Sequence, residues 1–280
     1  MNLAASLSRA QTRALLARIE SWGCQYQNIE PDRIAGSSLD LIVIDPVLDG
    51  GTGRTADQAD IQKLQRKPDG GRRLVFAYLS IGAAEEYRAY WNDSWLTAAP
   101  EWLGPHDPVW PRSHAVRFWR PDWQRIVTEG LQRIVAAGFD GVFLDRADAY
   151  HDWSGTRPAA LDEMADFVVQ LAQSARQTRP GFLMVGQNAE HLLEIPRYLD
   201  AIDGVSKESL LTGLEAQTTF NSADKVAWSM KYLVQAQRAG LVIMTIEYLE
   251  AAPDIEVARQ RHQAMRFKPF FGQRLLDKLP

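Results

Sequence analysis

The sequence predicts an α/β fold, a (β/α)8 TIM barrel with an additional N-terminal helix, and three observations carry that prediction. Short apolar runs alternate with longer helical patterns, as βαβ units of a parallel sheet require. The length of 280 residues is close to the roughly 250 that a single barrel needs. Several of the apolar runs stop on a carboxylate, and a barrel gathers its strand ends at one mouth. No Gly-, Ser- or Pro-rich linker divides the chain. Residues 1–21 therefore read as a helical extension and 22–280 as a single (β/α)8 domain.

The elements follow in order. Leu3, Leu7, Leu15, Leu16 and Ile19 recur among Arg and Gln, an amphipathic helix. A first strand is expected over 39–45 and a helix over 57–66. A second strand covers 73–80, then a helical turn 84–90 and a Trp- and Pro-rich loop to about residue 113. The third strand is a short run, 115–119. The next helix takes Asp122 as N-cap, repeats Trp123, Ile126, Val127, Leu131, Ile134 and Val135, and stops at Gly138. Strands are then expected at 140–145, 182–187, 201–206, 241–247 and 266–271. Helices intervene at 158–178, 191–198, from Ser222 to Gly240, and 253–265.

Composition excludes several classes. Hydrophobic residues at 46% and charged residues at 24% argue against disorder. A net charge of −4, with no basic run, argues against nucleic acid as a partner. Cys24 is the single cysteine, which rules out a disulfide framework and a cysteine zinc site. His106, His114, His151, His191 and His262 form no HxH or HExxH pair, so no metal is expected, and no cofactor. The glycine-rich stretch 49–54 matches no phosphate-binding fingerprint and reads as a flexible loop. No run of about 18 apolar residues could span a membrane. The first twenty residues lack a signal-peptide core. The chain reads as cytoplasmic as it stands, or as secreted or periplasmic if a leader has been omitted. A monomer is expected.

The strand ends carry the chemistry. Asp45, Asp145 and Glu247 terminate apolar runs, Glu208 lies just past another, and Asp148 follows Asp145 closely. Converging carboxylates raise the pKa of some members, which suits an acid/base pair. In glycosidic cleavage one carboxylic acid protonates the leaving oxygen while the other attacks the anomeric carbon or activates water. Around that pair, Ser80, Tyr78 and Tyr248 can hydrogen-bond a sugar, and Gln187 and Asn188 can bridge its hydroxyls. Arg88 can pair with a site carboxylate. Lys207 stands beside Glu208 and can favour its ionised form or point outward. Trp91, Trp95, Trp102, Trp110, Trp119 and Trp123 crowd one stretch; more than half of the nine tryptophans should be core, but the cluster also fits a carbohydrate groove. On strand strength alone Glu247 rivals Glu208.

The segments Tyr78-Leu-Ser-Ile-Gly82, Glu85-Glu-Tyr-Arg88 with Trp91, and Gly138-Phe-Asp-Gly-Val-Phe-Leu-Asp145-Arg-Ala-Asp148-Ala-Tyr150 resemble the endo-α-1,4-polygalactosaminidase family of glycoside hydrolases. The likeness runs in order over nearly the whole chain. It implies a (β/α)8 barrel acting on α-1,4-linked galactosamine polymers, with Asp145 matching the nucleophile and Glu208, in Val205-Ser-Lys-Glu208, matching the general acid/base. Many members carry a glutamate directly after the glycine where this chain has Ala83. That departure motivates a second expectation, a non-catalytic carbohydrate-binding protein on the same scaffold. A metal-assisted hydrolase is a third, disfavoured by the lack of paired histidines.

Overall fold

The computed structural model describes residues 7–48, 53–216 and 218–279. The chain enters through α1 (Arg9–Arg18), where Ser8 and Gln11 exchange side-chain and backbone hydrogen bonds in a capping box. β1 (Trp22–Gln25), α2 (Pro31–Ala35), β2 (Leu41–Ile44), α3 (Gln58–Leu64) and β3 (Leu74–Ser80) follow. Three short strands then form an insertion: β4 (Ala83–Glu85), β5 (Leu103–His106) and β6 (Ser113–Val116), antiparallel in the order β4-β6-β5. After α4 (Pro121–Ala137), Gly138 adopts the left-handed conformation (φ 91°) that ends a helix without a Cβ clash. The alternation resumes with β7 (Gly141–Asp145), α5 (Tyr150–Trp153), α6 (Ala160–Thr178), β8 (Leu183–Gln187), α7 (Pro196–Ala201) and β9 (Gly204–Glu208). It closes with α8 (Ala223–Arg238), β10 (Val242–Glu247), α9 (Ala252–Met265) and β11 (Lys268–Phe271).

The large sheet has eight parallel strands in the order β1-β2-β3-β7-β8-β9-β10-β11. Its two ends meet: Trp22 Nε1 donates to the Lys268 carbonyl at 2.8 Å, and the Tyr26 amide donates to the Leu276 carbonyl at 2.7 Å. Alternation along the strands separates two cores. Trp22, Cys24, Leu41, Val43, Leu74, Phe76, Phe143, Leu183, Val185, Met244, Ile246 and Phe270 fill the lumen. Leu16 and Ile19, in and just after α1, join this cluster and plug its N-terminal end. The opposite faces, including Ile42, Ile44, Val75, Val142, Leu144, Met184 and Val205, pack beneath the helices. Each such side chain, fully buried, contributes about 1.5–3 kcal/mol.

An eight-stranded barrel is present as expected, but only seven of the eight expected strands belong to it. Residues 115–119 do not form a barrel strand. Residues 113–116 belong to the insertion, and Phe118 is buried ahead of α4. The strand missing from the sequence reading is β1, whose Trp-Gly-Cys-Gln contains no β-branched residue to announce it. The helical turn expected at 84–90 opens as β4 instead, because Ala83–Glu85 pair with β6. Asp122 lies in the first turn of α4 rather than at its cap; Arg120 is the cap and Pro121 begins the helix. The strand expected at 201–206 is β9, shifted so that Glu208 is its last residue. Most of the glycine-rich stretch 49–54 lies outside the described residues. Among the described residues no helix is long and apolar enough to cross a membrane.

Candidate active site

The inward positions continue one layer above the apolar lumen. Counting by twos from the lumen residues reaches Tyr26 after β1, Asp45 after β2, Tyr78 and Ser80 in β3, Asp145, Gln187 and Glu208 at the ends of β7, β8 and β9, and Tyr248 after β10. All of them line one groove of about 540 Å³ at the C-terminal mouth. Asn188, Asp148 and Arg88, expected at the site, line it too. Asp145 and Glu208 stand on strands separated only by β8, so their backbones lie about 10 Å apart and their side chains converge.

Each carboxylate has its own supports. The Tyr78 hydroxyl donates to Asp145 Oδ2 at 2.7 Å. Glu208 accepts from Tyr248 Oη at 2.8 Å and from Gln187 Nε2 at 3.0 Å. Asn188 accepts the Glu208 backbone amide on its Oδ1 at 3.1 Å, tying the end of β8 to that of β9. Burial pushes Asp145 up to about 6, opposed by the Tyr78 hydrogen bond and reinforced by the negative charges of Asp148 and Glu208. Burial also raises Asp148 and Asp45, with Arg146 and Arg88 respectively pulling the other way.

A second network stands beside the first. Arg88 bridges Asp45 (2.8 Å) and Glu85 (2.6 Å), and Glu85 also accepts from Tyr87. Tyr78 Oη is 3.5 Å from Glu85 Oε1, linking this network to Asp145. The Ser80 hydroxyl is used locally, donating to the Ala83 carbonyl at 3.0 Å. The strand exits themselves are strained. Arg146, Asn188 and Ala189, and Ser209 follow β7, β8 and β9, and all have φ between 54° and 59°. Non-glycine residues adopt this conformation at a cost, and such residues cluster at functional sites. Gly82 is needed for a different reason: a Cβ there would lie 2.2 Å from the Arg146 carbonyl oxygen. The exit of β3 can therefore press against that of β7.

Two expectations from the sequence fall elsewhere. Glu247 does not line the groove. It points outward from β10, fully buried, and accepts from the Leu211 amide (2.9 Å), the Thr212 amide (3.1 Å) and the Thr212 hydroxyl (2.7 Å), with His262 Nε2 at 3.0 Å. It shapes the turn after Glu208 rather than meeting a sugar. Strand parity would have indicated this, since Ile246 and Tyr248 are the inward pair. Lys207 likewise faces away from Glu208 and pairs with Glu190 at 2.9 Å. Of the six clustered tryptophans, Trp102 and Trp123 are core, and Trp91, Trp95 and Trp119 pack against it. Trp110, 55% exposed, lines the groove. Tyr26, Glu85, Tyr87 and Arg274 also line it and had not been assigned to it from sequence. Parity after β1 would have found Tyr26; Arg274 belongs to the C-terminal segment and no strand pattern points to it.

A parallel barrel with paired carboxylates at its C-terminal mouth is a scaffold for glycoside hydrolysis. The model of glycoside-hydrolase family GH114 matches residues 4–279, and the chain belongs to that family. An uncharacterized protein of Deinococcus radiodurans is 36% identical over 94% of this chain and 83% of its own length. One from Thermotoga maritima is 32% identical over 84% of this chain and 72% of its own length. Among solved structures, the glycoside hydrolase domain of PelA from Pseudomonas aeruginosa superposes with a TM-score of 0.73 at 20% identity, covering 93% of this chain and 97% of that one. Ega3 of Aspergillus fumigatus, in complex with galactosamine, gives 0.70 at 18% identity, with 92% of both chains covered. At these identities the two structures show a shared fold. Among the described residues no group of His, Cys, Asp and Glu is arranged to hold a metal ion.

Proposed function

We propose that this glycoside hydrolase cleaves internal bonds of an α-1,4-linked galactosamine-type polysaccharide, with Asp145 as nucleophile and Glu208 as general acid/base. The observation that carries the reading is the pair itself: two carboxylates facing one groove, each held by a tyrosine hydroxyl. In the first step Asp145 attacks the anomeric carbon while Glu208 gives its proton to the leaving oxygen. In the second, Glu208 takes a proton from water, which displaces Asp145. The groove's charge supports the substrate class. Six carboxylates line it (Asp45, Glu85, Asp107, Asp145, Asp148, Glu208) against three guanidiniums (Arg88, Arg146, Arg274). That excess of negative charge favours a polymer of ammonium-bearing sugars over an acidic one. The galactosamine in the Ega3 complex supports the same class. Asp107 and Trp110, in the connection between β5 and β6, also line the groove.

The pH profile tests the roles. A nucleophile must be ionised, and Asp145 is raised to about 6. Activity should therefore fall as pH drops through about 6, where Asp145 gains its proton. Tyr78→Phe removes the hydrogen bond that opposes the rise, so the acidic limb should move to higher pH. Initial rates on a defined α-1,4-galactosamine oligosaccharide give both quantities. If activity were lost on raising pH through 6 instead, Asp145 would be the proton donor and the two roles would be exchanged.

A further inference from the structure

The Tyr78 hydroxyl carries one proton and has two carboxylates within reach. Asp145 Oδ2 lies at 2.7 Å and Glu85 Oε1 at 3.5 Å. Burial, together with the negative charges of Asp145 and Glu85, keeps the phenol protonated, so the hydroxyl is a single donor between two acceptors. Any share of that proton given to Glu85 is lost to Asp145, and a carboxylate that loses a donor ionises less readily. The shorter distance favours Asp145. How strongly Glu85 competes depends on the donors that Glu85 already has.

Glu85 is well supplied. Its Oε2 accepts from Arg88 Nε at 2.6 Å, and its Oε1, the oxygen within reach of Tyr78, accepts from the Tyr87 hydroxyl. Burial, with the negative charge of Glu85, keeps Tyr87 protonated and able to donate. Arg88 reaches on to Asp45 and lies over the rings of Tyr78 and Tyr87, 5.6 and 5.0 Å from their centroids. The backbone on either side is fixed: the Glu85 amide donates to Tyr90 Oη at 2.9 Å, and the Glu86 amide to the Arg112 carbonyl at 2.9 Å. The other ionisable groups around Asp145 are Arg146 and Asp148 beyond β7, Glu208 on β9 and Tyr26 after β1. Around Glu85 they are Asp45 and Tyr90.

We propose that Tyr87 is a positioning residue for the nucleophile: by donating to Glu85 it leaves the Tyr78 proton to Asp145. This rests on the reading of Asp145 as nucleophile given above. A carboxylate oxygen that already accepts one strong hydrogen bond has less charge to offer a second donor. Tyr87 therefore weakens the rival acceptor without touching Asp145, and the role needs no contact with the sugar. It also gives the β4-β6-β5 insertion, which lies outside the barrel, a hold on the acidity of a barrel residue. Without the Tyr87 hydroxyl, Tyr78 turns its hydrogen toward Glu85 for part of the time, and Asp145 takes up its proton at higher pH.

Tyr87→Phe, Tyr78→Phe and the double variant, each in the full chain, separate this role from a structural one. Arg88 still pairs with Glu85 in all three, so the charge balance of the network is kept. The readout is the rate against pH on an α-1,4-galactosamine oligosaccharide. Tyr87→Phe should move the acidic limb to higher pH by up to about one unit, the worth of one hydrogen bond at most. Tyr78→Phe should move it at least as far. Adding Tyr87→Phe to Tyr78→Phe should move it no further, because the relay is already gone. An acidic limb at the wild-type position in Tyr87→Phe would overturn the inference alone. So would an equal shift with and without Tyr78, which would mean that Tyr87 acts by another route. The wild type by itself tests the underlying reading: a rate that falls as pH rises through about 6 would overturn Asp145 as nucleophile, and this inference with it.

Discussion

Asp145→Asn and Glu208→Gln should each lower kcat/KM on an α-1,4-galactosamine oligosaccharide by roughly 10²- to 10⁴-fold, the usual range for a lost acid/base or nucleophilic group. Both substitutions keep the size of the side chain. The amide oxygen at position 145 can still accept from Tyr78, and the one at 208 from Tyr248. On the proposed mechanism each variant should turn over only slowly. In the proposed roles, an amide at 145 is too weak a nucleophile, and an amide at 208 is too weak an acid to protonate the leaving group. Melting temperatures should stay within a few degrees of the wild type, since no core contact is removed. The two losses should also fail to add if, as proposed, both residues serve one transition state. Retention of full activity in either variant would remove that residue from the mechanism.

The second large effect concerns stability. Glu247 is fully buried and accepts hydrogen bonds from two amides and a hydroxyl of the turn that follows Glu208. Glu247→Ala leaves the Leu211 and Thr212 amides buried without partners, at about 1–3 kcal/mol each. A total near 3 kcal/mol corresponds to a drop in melting temperature of roughly 6–12 °C. Activity should fall as well, because Ser209 leads directly from Glu208 into this turn and its amide is held by the Ile246 carbonyl. Glu256→Ala, an exposed change in α9, serves as the control and should leave melting and rate unchanged. A thermally normal Glu247→Ala protein with normal turnover would show that the turn is held by other means.

The sequence and the structure agree most closely where a strand is a strong apolar run. β2, β3, β7, β8 and β10 are such runs, and all five were legible. β1 was not, because it is a four-residue strand of Trp, Gly, Cys and Gln, held by its neighbours rather than by its own composition. β6 imitated a barrel strand through Ala115, Val116 and the aromatics beyond, although its partners are β4 and β5. At the site, the end-of-strand rule located Asp45, Asp145, Gln187 and Glu208 in the groove. It failed at Glu247 because it ignores the side to which a strand residue points. Alternation from the lumen corrects this: in β10, Met244 and Ile246 face inward, so Tyr248 enters the groove and Glu247 leaves it. Contacts made by irregular segments, such as Glu85 with Arg88 and Arg274 over the ring of Tyr248, carry no periodic signal and emerge only from the fold.

The central claim, that Asp145 forms a covalent bond to the sugar, is tested most directly by trapping it. An α-galactosaminyl fluoride needs no proton donor to expel its leaving group, so Glu208→Ala should still be glycosylated. Lacking the base that activates water, it should then stall. Mass spectrometry of the digested protein should find one galactosaminyl unit on the peptide bearing Asp145, and none when Asp145→Asn is added. A sugar attached to another residue would contradict the assignment, as would release of the inverted β-anomer by the wild type in place of the α-anomer.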